Sequence, residues 1–202
     1  VENAGGEATL HINNRQQEGS SATLLADGRQ ALLPLLLHPA PERALFLGLG
    51  TGITVSSATN DAMLTVDAVE LLPEVIDASA HFTRDVDTAR RSRLRLVGAD
   101  ARRFVRTARE PYDLIVSDNF HPARSGSGSL YTVEHFAAVQ QRLAPGGLFC
   151  QWLPLHQLDL DTLRSIVRAF LAVYPEGRAM LATNSLDTPV LGLLARRGGG
   201  GF

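Results

Sequence analysis

Lysine is absent from the 202 residues, and all 19 basic side chains are arginine. Mechanisms that need a lysine Schiff base or a phosphate-loop lysine are therefore excluded, pyridoxal and Walker-type chemistry among them. A single cysteine, Cys150, rules out an internal disulfide framework and a cysteine-rich zinc site, and a solitary thiol suits a reducing compartment. Excess charge of one sign is missing too. The 19 arginines face 21 acids for a net charge of -2, so there is no overall basic field to hold a long nucleic-acid backbone. The apolar stretch 31–37 falls far short of the roughly 20 residues that span a bilayer, and Pro34 interrupts it. No membrane span and no nucleic-acid partner are expected. His11, His38, His81, His135 and His156 share no ligand spacing, so no metal is expected either. The chain opens on Val1 without a methionine or a basic-then-apolar leader, and reads as a piece of something longer.

What is present is a composition of 45% hydrophobic and 20% charged residues, enough to bury a core. Residues 1–40 read as a small β lead-in with a short hairpin near Thr9 to Ile12. From Ala44 the pattern changes to short apolar runs at 44–47, 64–69, 94–97, 114–116 and 148–153, which predict buried parallel strands. Helical spacing at 53–58, 73–80, 101–108, 133–143 and 160–173 separates them. The alternation predicts an α/β domain over 41–196 with a doubly wound, mostly parallel sheet, followed by a flexible glycine-rich tail at 197–202. In such sheets ligands sit outside the carboxyl ends of the strands, so the residues that end each run are the ones to inspect.

The first strong strand runs into Gly48-Leu49-Gly50-Thr51-Gly52-Ile53-Thr54, a tight glycine turn entering a helix, where bare backbone lets a ligand approach. Glu70 ends the next strand about 20 residues later, where a nucleotide-binding unit places an acid for the two ribose hydroxyls. The third strand closes on Val97-Gly98-Ala99-Asp100-Ala101, and the fourth on Ser117-Asp118. Taken singly, the turn is compatible with an ordinary strand-to-helix connection, Glu70 with a surface carboxylate and Asp118 with a turn cap. Together they would line one crevice. Cys150 and Trp152 read as strand core. The arginines Arg90, Arg91, Arg93, Arg95, Arg102, Arg103, Arg106 and Arg109 read mostly as solvated faces, with a partner-binding patch as the alternative.

These residues resemble the class I S-adenosylmethionine-dependent methyltransferase-like fold, and within it the spermidine synthase (polyamine aminopropyltransferase) family. The resemblance runs from about Asn13 to Tyr174, through Val69-Glu70-Leu71-Leu72-Pro73, Gly98-Ala99-Asp100-Ala101, Tyr112 to Asp118, and Leu130-Tyr131-Thr132-Val133-Glu134-His135-Phe136. It implies that Gln17, Gly48, Gly50, Thr51, Gly52, Glu70, Leu71, Asp100, Ala101 and Asp118 hold decarboxylated S-adenosylmethionine or S-adenosylmethionine itself as co-substrate. Asp118 would be catalytic base and amine anchor, with Tyr131 facing the substrate. A small-molecule amine would be the acceptor, methylthioadenosine the product nucleoside, the state a homodimer and the location cytoplasmic. Some relatives carry membrane-spanning parts, so a membrane-attached parent is open. The chemistry is coherent: an amine with a pKa near 10 is protonated at neutral pH and cannot attack a sulfonium carbon until a carboxylate orients it and helps remove the proton.

The departures from that resemblance fall on the substrate side. Thr51 stands where the family's glycine loop carries an acid for the aminopropyl amine, and His121 stands where it carries a second acid. The lead-in tyrosine-histidine-glutamate falls at Ala26-Asp27-Gly28. Burying a polyamine's cationic amines needs paired carboxylates, so the pocket is poorly furnished for putrescine. Arg124 lies in a glycine- and serine-rich segment where the family closes a flap, and suits a carboxylate-bearing ligand. Three readings follow: aminopropyl transfer, methyl transfer from S-adenosylmethionine, and a nucleoside-binding module without turnover.

Overall fold

The short apolar runs and the amphipathic stretches between them become alternating strands and helices in the computed structural model, which describes residues 6–12, 16–122, 126–182 and 187–200. Strands β1 (Thr9–Ile12) and β2 (Gln16–Ser20) form a separate antiparallel hairpin. Then follow α1 (Leu24–Leu36), β3 (Arg43–Leu47), α2 (Ile53–Ala58), β4 (Thr65–Glu70), α3 (Pro73–Ser79), α4 (Thr88–Arg91), β5 (Leu94–Gly98), α5 (Ala101–Thr107) and β6 (Tyr112–Ser117). A 3-10 turn (Ser127–Tyr131) leads into α6 (Val133–Arg142), β7 (Leu143–Pro154), α7 (Leu160–Val173), β8 (Arg178–Leu181) and β9 (Val190–Arg196).

Seven strands make one sheet in the order β5-β4-β3-β6-β7-β9-β8. Neighbours from β5 through β7 pair in parallel, and β9 runs antiparallel between β7 and β8. The chain winds outward from β3 to β5, then returns to the other side of β3 at β6, which puts the reversal of strand order between β3 and β6. Ligand crevices form at such a reversal.

Alternation along the strands feeds two cores, one on each face of the sheet. Leu45, Leu47, Ile115, Phe149 and Leu153 point to a layer with Phe136, Phe170 and Tyr174. The Phe136 and Phe170 rings meet edge to face at 5.5 Å. Ala44, Phe46, Val116, Cys150 and Trp152 point the opposite way, against Ala31 of α1 and Val55 and Ala58 of α2. Each large side chain so buried contributes about 1.5–3 kcal/mol of transfer free energy. As expected, Trp152 and Cys150 are fully buried, and burial pushes the Cys150 thiol well up from its usual range.

Two stretches differ from the sequence reading. The lead-in contains a 13-residue helix, α1, with Pro34 inside it. Proline leaves the carbonyl four residues earlier without its helical donor. That carbonyl, on Gln30, accepts instead from the indole N–H of Trp152 at 2.9 Å. At the other end, β8 and β9 were not anticipated. Gly192 makes β9 possible there, because a Cβ on it would stand 2.8 Å from the Trp152 ring.

The arginines near β5 largely hold their own chain together. Arg95 forks onto Asp67 at 2.8 and 2.7 Å, Arg90 reaches the Ser56 carbonyl at 2.7 Å, and Arg93 the Thr59 carbonyl at 2.8 Å. Among the described residues no helix is long and apolar enough to cross a membrane.

Candidate functional site

Parallel pairing aligns the strand ends that the sequence singles out. Leu47 pairs with Val69 of β4 and Ser117 of β6, Glu70 pairs with Gly98, and Ser117 pairs with Gln151. One residue beyond, Gly48, Glu70, the turn before Asp100, and Asp118 therefore sit along a single rim. Backbone bonds fix the rim: Gly48 N–H to the Val69 carbonyl (2.9 Å), Ala99 N–H to Glu70 (2.9 Å), and Asp118 N–H to Leu47 (3.0 Å).

Glycine is required at position 48. Its φ is 98°, and a Cβ there would lie 2.6 Å from Phe120 Cζ and 2.9 Å from Asp118 Cβ. Backbone 48 thus lies directly against the Asp118 side chain. Gly50 and Gly52 also have positive φ, and Gly52 starts α2.

Beside this turn opens a cavity of about 360 Å³ lined by Gly48, Glu70, Leu71, Asp100, Ala101 and Phe120, with Arg102 and Leu130. The Glu70 carboxylate bridges two loops: Oε2 accepts from Leu49 N–H and Oε1 from Leu72 N–H, both at 3.1 Å. Its position is set before any ligand arrives. Asp100 caps α5, accepting from Arg103 N–H at 2.8 Å. Exposed Leu71 supplies an apolar wall.

Asp118 lies behind that lining, against Gly48. Its Oδ1 accepts from Asn119 N–H at 2.8 Å, and its carbonyl accepts from the buried Gln151 amide at 3.1 Å. Tyr131 is buried, and its hydroxyl donates to the Phe120 carbonyl at 2.5 Å. It grips the segment that carries Asp118 and Phe120, while its neighbour Leu130 lines the cavity.

The remaining sequence candidates sit elsewhere. Thr51 is buried under the hairpin, where a Cβ on Gly19 would come within 2.7 Å of its Cγ2, and its hydroxyl accepts from Ile53 N–H at 3.4 Å. Gln17 lies in β2 opposite His11. Arg124 lies outside the described residues.

Sequence reasoning missed a second opening. A groove of about 790 Å³ runs between the β2–α1 corner and the β8–β9 edge, lined by Gly19, Asp27, Arg29, Gln30, Asn119 and His156 among others. Burial pushes the Asp27 carboxyl above its usual range, against the opposing hydrogen bond from the Thr23 hydroxyl at 2.8 Å. No motif marks this groove; it exists only once α1 is packed.

A family model described as the spermine/spermidine synthase domain matches residues 31–183. The spermidine synthase of Dictyostelium discoideum is 27% identical over 145 residues, which cover 71% of this chain and 51% of that protein. The polyamine aminopropyltransferase 2 of Hyperthermus butylicus is 34% identical over 117 residues, 56% of this chain and 38% of that one. The chain spans from about two fifths to about half of the length of these relatives. Among solved structures, the spermidine synthase of Thermotoga maritima superposes with a TM-score of 0.77 at 21% identity, covering 91% of this chain and 64% of that one. Human methyltransferase-like protein 13 in complex with SAH superposes at 0.63 and 21% identity, covering 86% and 80%. These two likenesses show the fold, which is the Rossmann-like one expected.

Proposed function

The chain belongs to the spermine/spermidine synthase family, and from that premise we propose that it moves an aminopropyl group from decarboxylated S-adenosylmethionine to an amine acceptor. The observation that supports this most is the placing of one cavity, lined by Glu70, Leu71, Asp100 and Ala101, directly against the Gly48–Asp118 contact. A nucleoside in the cavity would offer its ribose hydroxyls to the pre-set Glu70 carboxylate and its base to Asp100 and the Ala101 backbone, with Leu71 against the ring. The bare Gly48 backbone leaves room for the sulfur-bearing end to reach Asp118.

Asp118 then holds the acceptor. It binds the ammonium, orients it and takes its proton as the nitrogen attacks the carbon attached to sulfur. One N–C bond forms and one C–S bond breaks, the sulfonium becomes the neutral thioether of methylthioadenosine, and the amine's proton passes through Asp118 to solvent. The sulfonium is already a good leaving group, so alignment of the two reactants supplies most of the rate. Tyr131 acts through Phe120, keeping the Asp118 segment in place. Gly50 and Gly52 complete the glycine turn of this site, and Gln17 is proposed as a further nucleoside contact contributed from the hairpin, outside the cavity lining. A homodimeric state and a cytoplasmic location belong to this proposal.

Thr51 favours one second reading. Where an acid would bind the aminopropyl amine, a buried hydroxyl offers no charge, and methyl transfer from S-adenosylmethionine needs none there. The test is Asp118→Asn with binding and turnover read separately. Aminopropyl transfer requires that product formation fall by at least about a hundredfold while methylthioadenosine affinity stays within a few fold; retained turnover would defeat it.

A further inference from the structure

Gln30 is an odd residue to find inside a helix that packs on a core. It is only 8% exposed, and its side-chain Oε1 is buried without a hydrogen-bond partner among the described residues. A desolvated amide oxygen left unpaired costs about 1–3 kcal/mol, so an atom of this kind calls for a partner, either a water or a ligand group. The backbone of Gln30 is committed elsewhere, to the Trp152 indole, which fixes where the side chain starts.

Its surroundings say what that partner touches. Gln30 lines the large groove together with Asp27, Arg29 and Asn119. It also lines a void of about 10 Å³ whose other walls include Gly48, Thr54 and Asp118. Gly48 in turn lines the nucleoside-sized cavity. Cavity and void therefore share Gly48, void and groove share Gln30, and Asp118 lines the void between those two residues. A void of that size takes about one water-sized polar group.

We infer that Gln30 selects the acceptor: the groove takes a primary amine carrying a second, uncharged hydrogen-bond donor, such as a hydroxyl or amide, which Gln30 reads. The inference rests on the aminopropyl-transfer reading. An amide oxygen discriminates by the presence of a donor and offers no net charge to hold a second ammonium. The groove's charges point the same way, since its lining holds one carboxylate, Asp27, and one guanidinium, Arg29, and so offers a dication no net negative charge.

Three amines built on the same four-carbon chain test it: 4-aminobutan-1-ol, putrescine and butylamine. Each is offered as acceptor with decarboxylated S-adenosylmethionine, and each is titrated into protein saturated with methylthioadenosine. The native protein should favour aminobutanol over butylamine by about tenfold, the worth of one buried hydrogen bond. The near-isosteric Gln30→Met should bring that ratio close to one, and Gln30→Glu should move the preference to putrescine. Ratios within one variant cancel any loss of folded protein.

If the native protein prefers putrescine, or if Gln30→Met and Gln30→Glu leave the ratios unchanged, the inference is overturned while aminopropyl transfer stands. If no amine is alkylated but the titrations show the Gln30-dependent ratios, aminopropyl transfer fails and the acceptor site survives. If no amine binds, the inference is overturned on that result alone.

Discussion

Glu70 gives a prediction whose size can be worked from its contacts. Each carboxylate oxygen already accepts one backbone N–H at 3.1 Å, from Leu49 and Leu72, and each retains a second lone-pair direction. Two ribose hydroxyls donating to an ionised carboxylate would each contribute about 1.5–3 kcal/mol gross. Part of that is repaid by water in Glu70→Ala, so a net loss of about 1–3 kcal/mol is expected, a factor of roughly 5 to 150 in affinity. Releasing Leu49 and Leu72 also loosens the glycine turn, which should lower thermal stability by a further small amount. Calorimetric titration of methylthioadenosine separates the two when run beside adenine, which lacks the ribose. The Glu70→Ala protein should lose affinity for the nucleoside and keep its affinity for the base. Equal losses for both ligands, or no loss for either, would refute the assignment of the ribose to Glu70.

Gly48→Ala should both strain the backbone, at φ 98°, and push Phe120 and Asp118 aside, because the new Cβ would lie 2.6 and 2.9 Å from their atoms. A stability loss of about 1–2 kcal/mol from the left-handed conformation alone should appear as a lower melting temperature, with turnover falling further than nucleoside affinity. His135 is 1% exposed, and burial, aided by Arg102 and Arg106 and opposed by Asp100, lowers its pKa to about 4. The unfolded chain takes up this proton below about pH 6.5, so the stability it represents is complete above that value and is lost as pH falls towards 4, on the order of 3 kcal/mol in total. Denaturant titrations of His135→Leu across that range should show a flatter acid limb than the native protein, and parallel limbs would count against it. Cys150, fully buried with its thiol pKa raised, should resist a thiol reagent in the native state and react stoichiometrically once guanidinium unfolds the chain.

The parallel half of the sheet was legible because fully buried strands leave unbroken apolar runs, and because each run stops at a residue with chemistry: Gly48, Glu70, Asp100, Asp118. Helix α1 was hidden by its own composition. Asp27, Gly28 and Pro34 argue against a helix one by one, and only the Trp152 indole, more than a hundred residues away, satisfies the carbonyl that Pro34 strands. Strands β8 and β9 were obscured because antiparallel pairing at the sheet's far side depends on Gly192 fitting under Trp152, a contact with no local signature. The same holds for the site. Glu70, Asp100 and Asp118 follow from strand ends and family likeness, whereas Phe120, Arg102 and Gln30 acquire a place only when separate elements meet.

The central claim, aminopropyl transfer at the Gly48–Asp118 contact, is tested most directly by following methylthioadenosine release from decarboxylated S-adenosylmethionine with and without a primary amine. Release should depend on the amine, yield the aminopropylated amine in equal amount, and disappear in Asp118→Asn. Transfer of a methyl group from S-adenosylmethionine in the same assay, with no aminopropylated product from the decarboxylated donor, would contradict it.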